Sequence, residues 1–381
     1  MDLEINCSHP SYAERVIHPV GAESVHLTFA IIGLVGNGLV FIVFIRIPRL
    51  RMKTTNIFLF NLAIADFCSS VFMASRPYVF KLDPESLAWK EFVCRFFKSD
   101  FPLWTCVTAS IYNLLLVTVD RYLCVVKPFL YRRYFTVTRI RLMVMLCWLF
   151  SAILETYCFY STRVNDCGSC ELYWPSQALQ IVCTIATFLL TYLLPTLVML
   201  FAYGNIVKTL KKREEALQNH HQPVAAGNLL RARRNIVRML QVLVLLFGVL
   251  WAPNQLLFLY LSFPGTSVNL TQLGFSIILA VGFINCVVNP IVYSFKNPQF
   301  KKALLTVICC RLGPSIAPSE LNVSDLILDG GGSRSAPSIK PSTGMVQIQP
   351  SHHEERDNIQ DQIEPKTQPR NTDQTSDILQ E

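Results

Sequence analysis

Formal charge disappears from this chain over long stretches and returns in clusters between them. A helix that crosses about 30 Å of hydrocarbon at 1.5 Å per residue needs about 20 residues, so an uncharged stretch of that length predicts a membrane span. Residues 26–45 form one, and 57–75 another, interrupted only by Asp66. A third, 101–119, lies between Asp100 and Asp120, and 142–162 contains only Glu155, near one end. The stretch 172–207 holds a span and a loop end. The last, 239–295, is too long for one crossing, and the turn-forming SFPGTSVNLTQ at 262–272 divides it in two. The pattern predicts an all-α membrane protein, a seven-transmembrane helix bundle. Beyond the last span, over 297–308, Phe300, Leu304 and Leu305 fall on one face and Lys301 and Lys302 on another. That periodicity predicts a short amphipathic eighth helix in the membrane interface.

Composition narrows the class. Of the 381 residues, 51% are hydrophobic and 16% charged, and mean hydropathy is +0.36. Soluble domains carry about 25% charged residues, so a soluble enzyme is excluded. Thirteen cysteines are too few for a disulfide scaffold at this length. The net charge of +8 raises the question of nucleic acid, but the placement of the basic residues answers it. Arg46, Arg49, Arg51 and Lys53 follow the first span, and Lys127, Arg132, Arg133, Arg139 and Arg141 the third. Lys208, Lys211, Lys212, Arg213, Arg231, Arg233, Arg234 and Arg238 follow the fifth, and Lys296, Lys301, Lys302 and Arg311 the seventh. Basic loops stay cytoplasmic, which puts the N-terminus outside, the C-terminus inside, and these charges against anionic inner-leaflet lipid. No nucleic-acid partner is expected.

Residues 1–24 have no basic segment and no small-residue cleavage site, so the first span reads as an uncleaved anchor behind an extracellular N-terminus. Residues 25–310 form the membrane domain. Residues 311–381, rich in Ser, Pro, Gln, Asp and Glu, read as a disordered cytoplasmic tail. The spans contain no HExxH, GxSxG or paired-carboxylate arrangement, so no enzyme is expected. A seven-span transporter or channel is the other class to weigh, but it would show matched Gly/Pro-broken helices, and none is visible.

Polar residues inside a membrane are costly and mark function or links between helices. Here they are Asn37, Asp66, Ser110, Asn285 and Asn289. Asp66 needs a cation, a proton or several donors. Around them stand GNGLV (36–40), NLAIAD (61–66), DRYLCVVKP (120–128), Trp148, Pro195, Tyr203, FGVLWAP (247–253) and NPIVY (289–293) followed by SFKNPQF. In this order and in these spans, the motifs resemble those of rhodopsin-like (class A) G-protein-coupled receptors, across about 25–310.

The resemblance implies roles. Asp66, Ser110, Asn285 and Asn289 resemble a pocket for an allosteric sodium ion, with no other cofactor expected. Asp120, Arg121 and Tyr122 resemble the triad that meets a heterotrimeric G protein, Arg121 being held by Asp120 at rest. Tyr203, Pro290 and Tyr293 resemble the residues that hold the active packing, and Trp251 and Pro253 the toggle at a helix kink. The tail implies arrestin and receptor kinases as further partners, and membrane lipid is a partner throughout. Leu250 replaces the cysteine of the family's FxxCWxP pattern. Arg233 replaces the acidic residue that often locks Arg121, which would leave the resting state to depend more on Asp120 alone and leaves the level of basal activity open. Cys94 lies two residues further from Arg121 than the family's outer cysteine, whose place Phe96 takes, and Pro102 is the residue able to bend the chain there.

The resemblance also implies a disulfide from Cys94 to the second outer loop, with Cys170 as partner in preference to Cys167; Cys7 is available to the cysteine left over. Asn6 and Asn269 head glycosylation sequons on the outer side, and Asn322 one on the inner side. Cys309 and Cys310 end the amphipathic helix as palmitoylation sites.

The ligand class follows from what is absent. Leu103 stands where amine receptors of the family carry an aspartate, and Phe283 where opsins carry the retinal lysine. The outer half of the bundle offers Arg76, Lys98, Asp100, Trp104, Gln255 and Phe258 instead, beneath a loop with Glu171, Tyr173 and Trp174. Mixed charge and aromatic surface suit an extracellular peptide. A small acid or a lipid drawn by Arg76 and Lys98 is the alternative.

Overall fold

A computed structural model describes residues 20–48, 54–219, 224–263, 272–296 and 298–308. The expectations for Asn6, Cys7, Asn269, Cys309, Cys310, Asn322 and the tail fall outside the described residues, as does the side chain of Arg233. The described chain is almost wholly helical: α1 (Val20–Arg46), α2 (Thr54–Val79), α3 (Leu87–Phe92), α4 (Phe101–Val126), α5 (Pro128–Tyr134), α6 (Val137–Tyr160), α7 (Gln177–Thr187), α8 (Leu194–Asn219), α9 (Val224–Leu261), α10 (Gln272–Lys296) and α11 (Pro298–Ile308). Among the described residues, seven helices are long and apolar enough to cross a membrane. They begin at Ser24, Thr54, Leu87, Val137, Gln177, Arg234 and Ser276, so the first five uncharged stretches correspond to one span each and the sixth to two.

The spans pack through small contacts and polar clasps rather than through the hydrophobic effect, since lipid is as apolar as leucine. Asn37 donates to the Cys286 carbonyl at 2.9 Å and joins α1 to α10. Asn61 of α2 donates to Asn113 Oδ1 of α4 at 2.6 Å and accepts from the indole of Trp148 of α6 at 3.0 Å. Gly33 lets α1 approach Ser70 of α2 so closely that a Cβ at residue 33 would clash with the serine hydroxyl. The interior is filled by Phe58, Phe247, Trp251 and Phe283, while Met145, Leu149 and Ile153 of α6 face outward, as lipid-facing residues do.

The entry to the third span is irregular, but not because of Pro102. A π-helical segment, Val93–Lys98, precedes a break at Ser99 and Asp100, and Asp100 takes a left-handed conformation at φ 60°. Pro102 lies in the first turn of α4, where its missing N–H breaks no helical bond. The π turn and the break therefore absorb the two extra residues. The fifth span begins at Gln177, later than hydropathy suggests, because 170–172 form a strand. A second π segment, Phe188–Leu193, interrupts that span just before Pro195. The eighth helix is α11; Phe300 and Ala303 are buried against the bundle, whereas Leu305 is exposed, on a different face from Phe300.

Candidate ligand cavity and coupling face

The outer loop after α6 folds back as an antiparallel hairpin, β1 (Thr162–Val164) with β2 (Cys170–Leu172). Its turn is held by Asn165 Oδ1, which accepts from the amides of Cys167 and Ser169, and by Gly168 at φ 72°, a left-handed position suited to glycine. Arg163 pairs with Glu171 across the strands at 2.9 Å. The register pairs Val164 with Cys170, and Cys170 is disulfide-bonded to Cys94. Cys167 is also in a disulfide. The hairpin is thus fastened to the outer end of the third span.

Beneath it lies a cavity of about 870 Å³, in the range of ligand sites. Of the expected ligand residues, Arg76, Asp100, Trp104, Gln255 and Phe258 line it. Leu103 does not: Trp104, Val107, Thr108 and Ile111 share the cavity face of α4, and Leu103, on the adjoining face, is buried in the helix-packing core at 1% exposure. Arg76 and Asp100 form an ion pair at 2.9 Å, both largely buried. At the mouth, the Lys90 ammonium bonds Asp83 and holds its carboxyl below the usual carboxylate range. Sequence reading passed over Glu155, which lines the cavity at 3% exposure and accepts from Thr108 Oγ1 at 2.5 Å. Its signal was there, as the lone charge within the fourth uncharged stretch.

The cavity floor leads inward through aromatic rings. Trp104 lies 6.2 Å from Trp251 and stacks on Phe283 at 6.1 Å between centroids, and Phe283 meets Trp251 edge-on. Gly282 gives Trp251 its room: a Cβ there would lie 3.0 Å from the indole. Tyr192 of the π segment donates to the Gly248 carbonyl at 2.9 Å, one turn before Trp251 and Pro253.

Below the tryptophan, Asp66 is fully buried and accepts from Ser110 Oγ and from Asn289 Nδ2, each at 2.6 Å. Ser69 and Ser70 donate to its backbone carbonyl. The Cys286 thiol also faces the carboxylate. Asn285 is buried but makes no hydrogen bond to Asp66 among the described residues. At the end of the bundle opposite the hairpin, Arg121 bonds Asp120 through Nε at 2.8 Å, and both meet the Thr55 hydroxyl. Tyr203 and Tyr293 are buried nearby, and Tyr122 is half-buried. The fifth and sixth spans are joined by Arg234, whose Nη1 donates to both carboxylate oxygens of Glu214 at 2.8 and 2.6 Å, and Arg213 caps the Val125 carbonyl of α4 at 2.9 Å.

Seven spans, a cavity under a disulfide-held hairpin at one end and a buried arginine–aspartate pair at the other define a seven-span receptor. The family model described as 7 transmembrane receptor (rhodopsin family) matches residues 36–293. The chain belongs to that family and is a G-protein-coupled receptor, a multi-pass membrane protein. It is similar to the substance-K receptor of Mesocricetus auratus, 30% identical over 77% of this chain and 76% of the relative. The somatostatin receptor type 4 of Rattus norvegicus is 32% identical over 77% and 73%. The galanin receptor 2a of Danio rerio is 28% identical over 74% and 76%.

Proposed function

We propose that this receptor takes an extracellular peptide in the cavity beneath the hairpin and passes its binding to a heterotrimeric G protein at Arg121. The observation that carries the ligand class is the cavity itself, whose wall alternates charge of both signs with Trp104, Trp174 and Phe258. The relatives named for substance K, somatostatin and galanin support it. A small acid or lipid is less well served, because the Arg76 charge is already compensated by Asp100. Cells expressing the receptor, challenged with pools of amidated peptides and with pools of organic acids and lipids, should release G-protein subunits in response to peptides alone. Responses confined to acids or lipids would overturn the peptide assignment.

On the same reading, the N-terminus is extracellular at the plasma membrane, Asn6 and Asn269 carry sugar, Cys309 and Cys310 carry acyl chains, and Lys301 and Lys302 meet lipid head groups. The tail serves arrestin and receptor kinases. Asp66 and Ser110 offer the oxygen donors that suit a hard monovalent cation, and the Asp66 carboxylate, with about four lone-pair sites, has acceptor capacity beyond its bonds from Ser110, Asn289 and the Cys286 thiol. Sodium would hold the resting packing, since a ligand shifts a two-state equilibrium only by differential affinity. Asp66→Asn should therefore abolish any sodium-dependent fall in agonist affinity; sensitivity that survives the change places the ion elsewhere.

A further inference from the structure

Glu155 is the carboxylate in the cavity wall that has no ion-pair partner among the described residues. The other carboxylates there each have a basic partner: Asp100 has Arg76, Asp83 has Lys90 and Glu171 has Arg163. Glu155 has none among the described residues; its oxygens meet only the Thr108 hydroxyl at 2.5 Å and, weakly, the Cys158 thiol at 3.9 Å. It is 3% exposed, yet it lines the cavity. Thr108 lies seven residues inside the start of α4, which is roughly 10 Å of helix rise. A group that reaches Glu155 therefore enters well below the hairpin.

We propose that Glu155 is the anchor for a cationic group of the ligand, a guanidinium or ammonium such as an arginine or lysine side chain or a peptide amine. This rests on the peptide reading and deepens it by naming the side chain that the cavity selects. The chemistry is complementary on each count. A buried carboxylate without a cation is unfavourable, and a cation delivered into low dielectric beside it recovers a strong charge-assisted bond. One Glu155 oxygen is bound by Thr108, which fixes the carboxylate and leaves the other with only a thiol contact. Tyr157 and Trp174 stack nearby at 6.2 Å and 15°, and both line the cavity. Aromatic faces favour a guanidinium plane. A purely structural Glu155 would serve Thr108 equally well as glutamine, and that difference makes the proposal testable.

The test uses the purified receptor in detergent, with phenethylguanidine and its uncharged counterpart phenethylurea as probes. At millimolar concentration the guanidine should raise the melting temperature of the wild type and the urea should not. Glu155→Gln, which keeps the hydrogen bond and the volume, should remove the guanidine shift, whereas Glu214→Gln at the opposite end of the bundle should retain it. Equal shifts from both probes, no shift from the guanidine, or a shift that survives in Glu155→Gln would each overturn the proposal. The wild-type comparison stands even if the variant folds poorly. Failure here would leave activation by peptides untouched, and the peptide reading would then hold with a ligand anchored elsewhere.

Discussion

Arg121 donates through Nε to Asp120 Oδ2 at 2.8 Å, and the same carboxylate oxygen accepts from Thr55 Oγ1 at 2.7 Å. The guanidinium is therefore held to its own helix and to α2, and it is 7% exposed. On the proposed coupling role, a G protein would reach it only when this clasp opens. Asp120→Asn keeps a hydrogen bond but removes the charge, a loss of roughly 1.5 kcal/mol in the resting state. About tenfold higher basal nucleotide exchange is expected, measured in membranes at matched surface expression. Unchanged basal exchange would show that the clasp does not hold the receptor at rest.

Gly282 and Trp251 make a second testable contact. A methyl group at residue 282 would lie 3.0 Å from the indole, and the ring is confined by Trp104 and Phe283. Gly282→Ala should cost roughly 1–3 kcal/mol by overpacking. The expected result is a lower melting temperature of purified receptor together with altered basal exchange. A variant that matches the wild type in both would mean that the indole yields freely.

What the sequence made legible follows from which forces act where. The spans were readable because the bilayer requires about 20 apolar residues per crossing, and the motifs of α2, α4, α9 and α10 lie in register with them. The ends of the spans away from the hairpin were not. α8 continues to Asn219 and α9 starts at Val224, since Lys, Arg and Glu are good helix formers and nothing stops a helix on leaving the membrane. Pro102 was credited with an irregularity that a π turn and Asp100 produce. Hydrophobic periodicity cannot register one extra residue in a turn. Leu103 was expected at the cavity from the position that amine receptors give an aspartate, but it turns into the helix-packing core while its neighbour Trp104 lines the cavity, and how a helix face is turned depends on its neighbours. Glu155 stood out as the lone charge of its stretch, but its place in the cavity wall and the Arg234–Glu214 pair depend on neighbours from other helices, which no local pattern displays.

The hairpin offers a third prediction. Cys94 and Cys170 are 76 residues apart in sequence, and closing a loop of that order restricts the unfolded chain by roughly 2–4 kcal/mol. Replacing both with serine should lower stability by that amount and weaken peptide binding, because the hairpin over the cavity is released. Peptide mapping under non-reducing conditions should recover Cys94 joined to Cys170. Cys94 alkylated as a free thiol in folded receptor would contradict the pairing.

The most direct test of the whole account is nucleotide exchange by a defined heterotrimer. Membranes containing the receptor and purified G protein are supplied with a peptide selected from the active pools, and uptake of a non-hydrolysable GTP analogue is followed for wild type and Arg121→Ala at equal surface expression. Peptide-stimulated uptake is expected in the wild type, with at least a tenfold loss in Arg121→Ala while peptide binding persists. Equal stimulation of the two would contradict the assignment of Arg121 as the coupling contact.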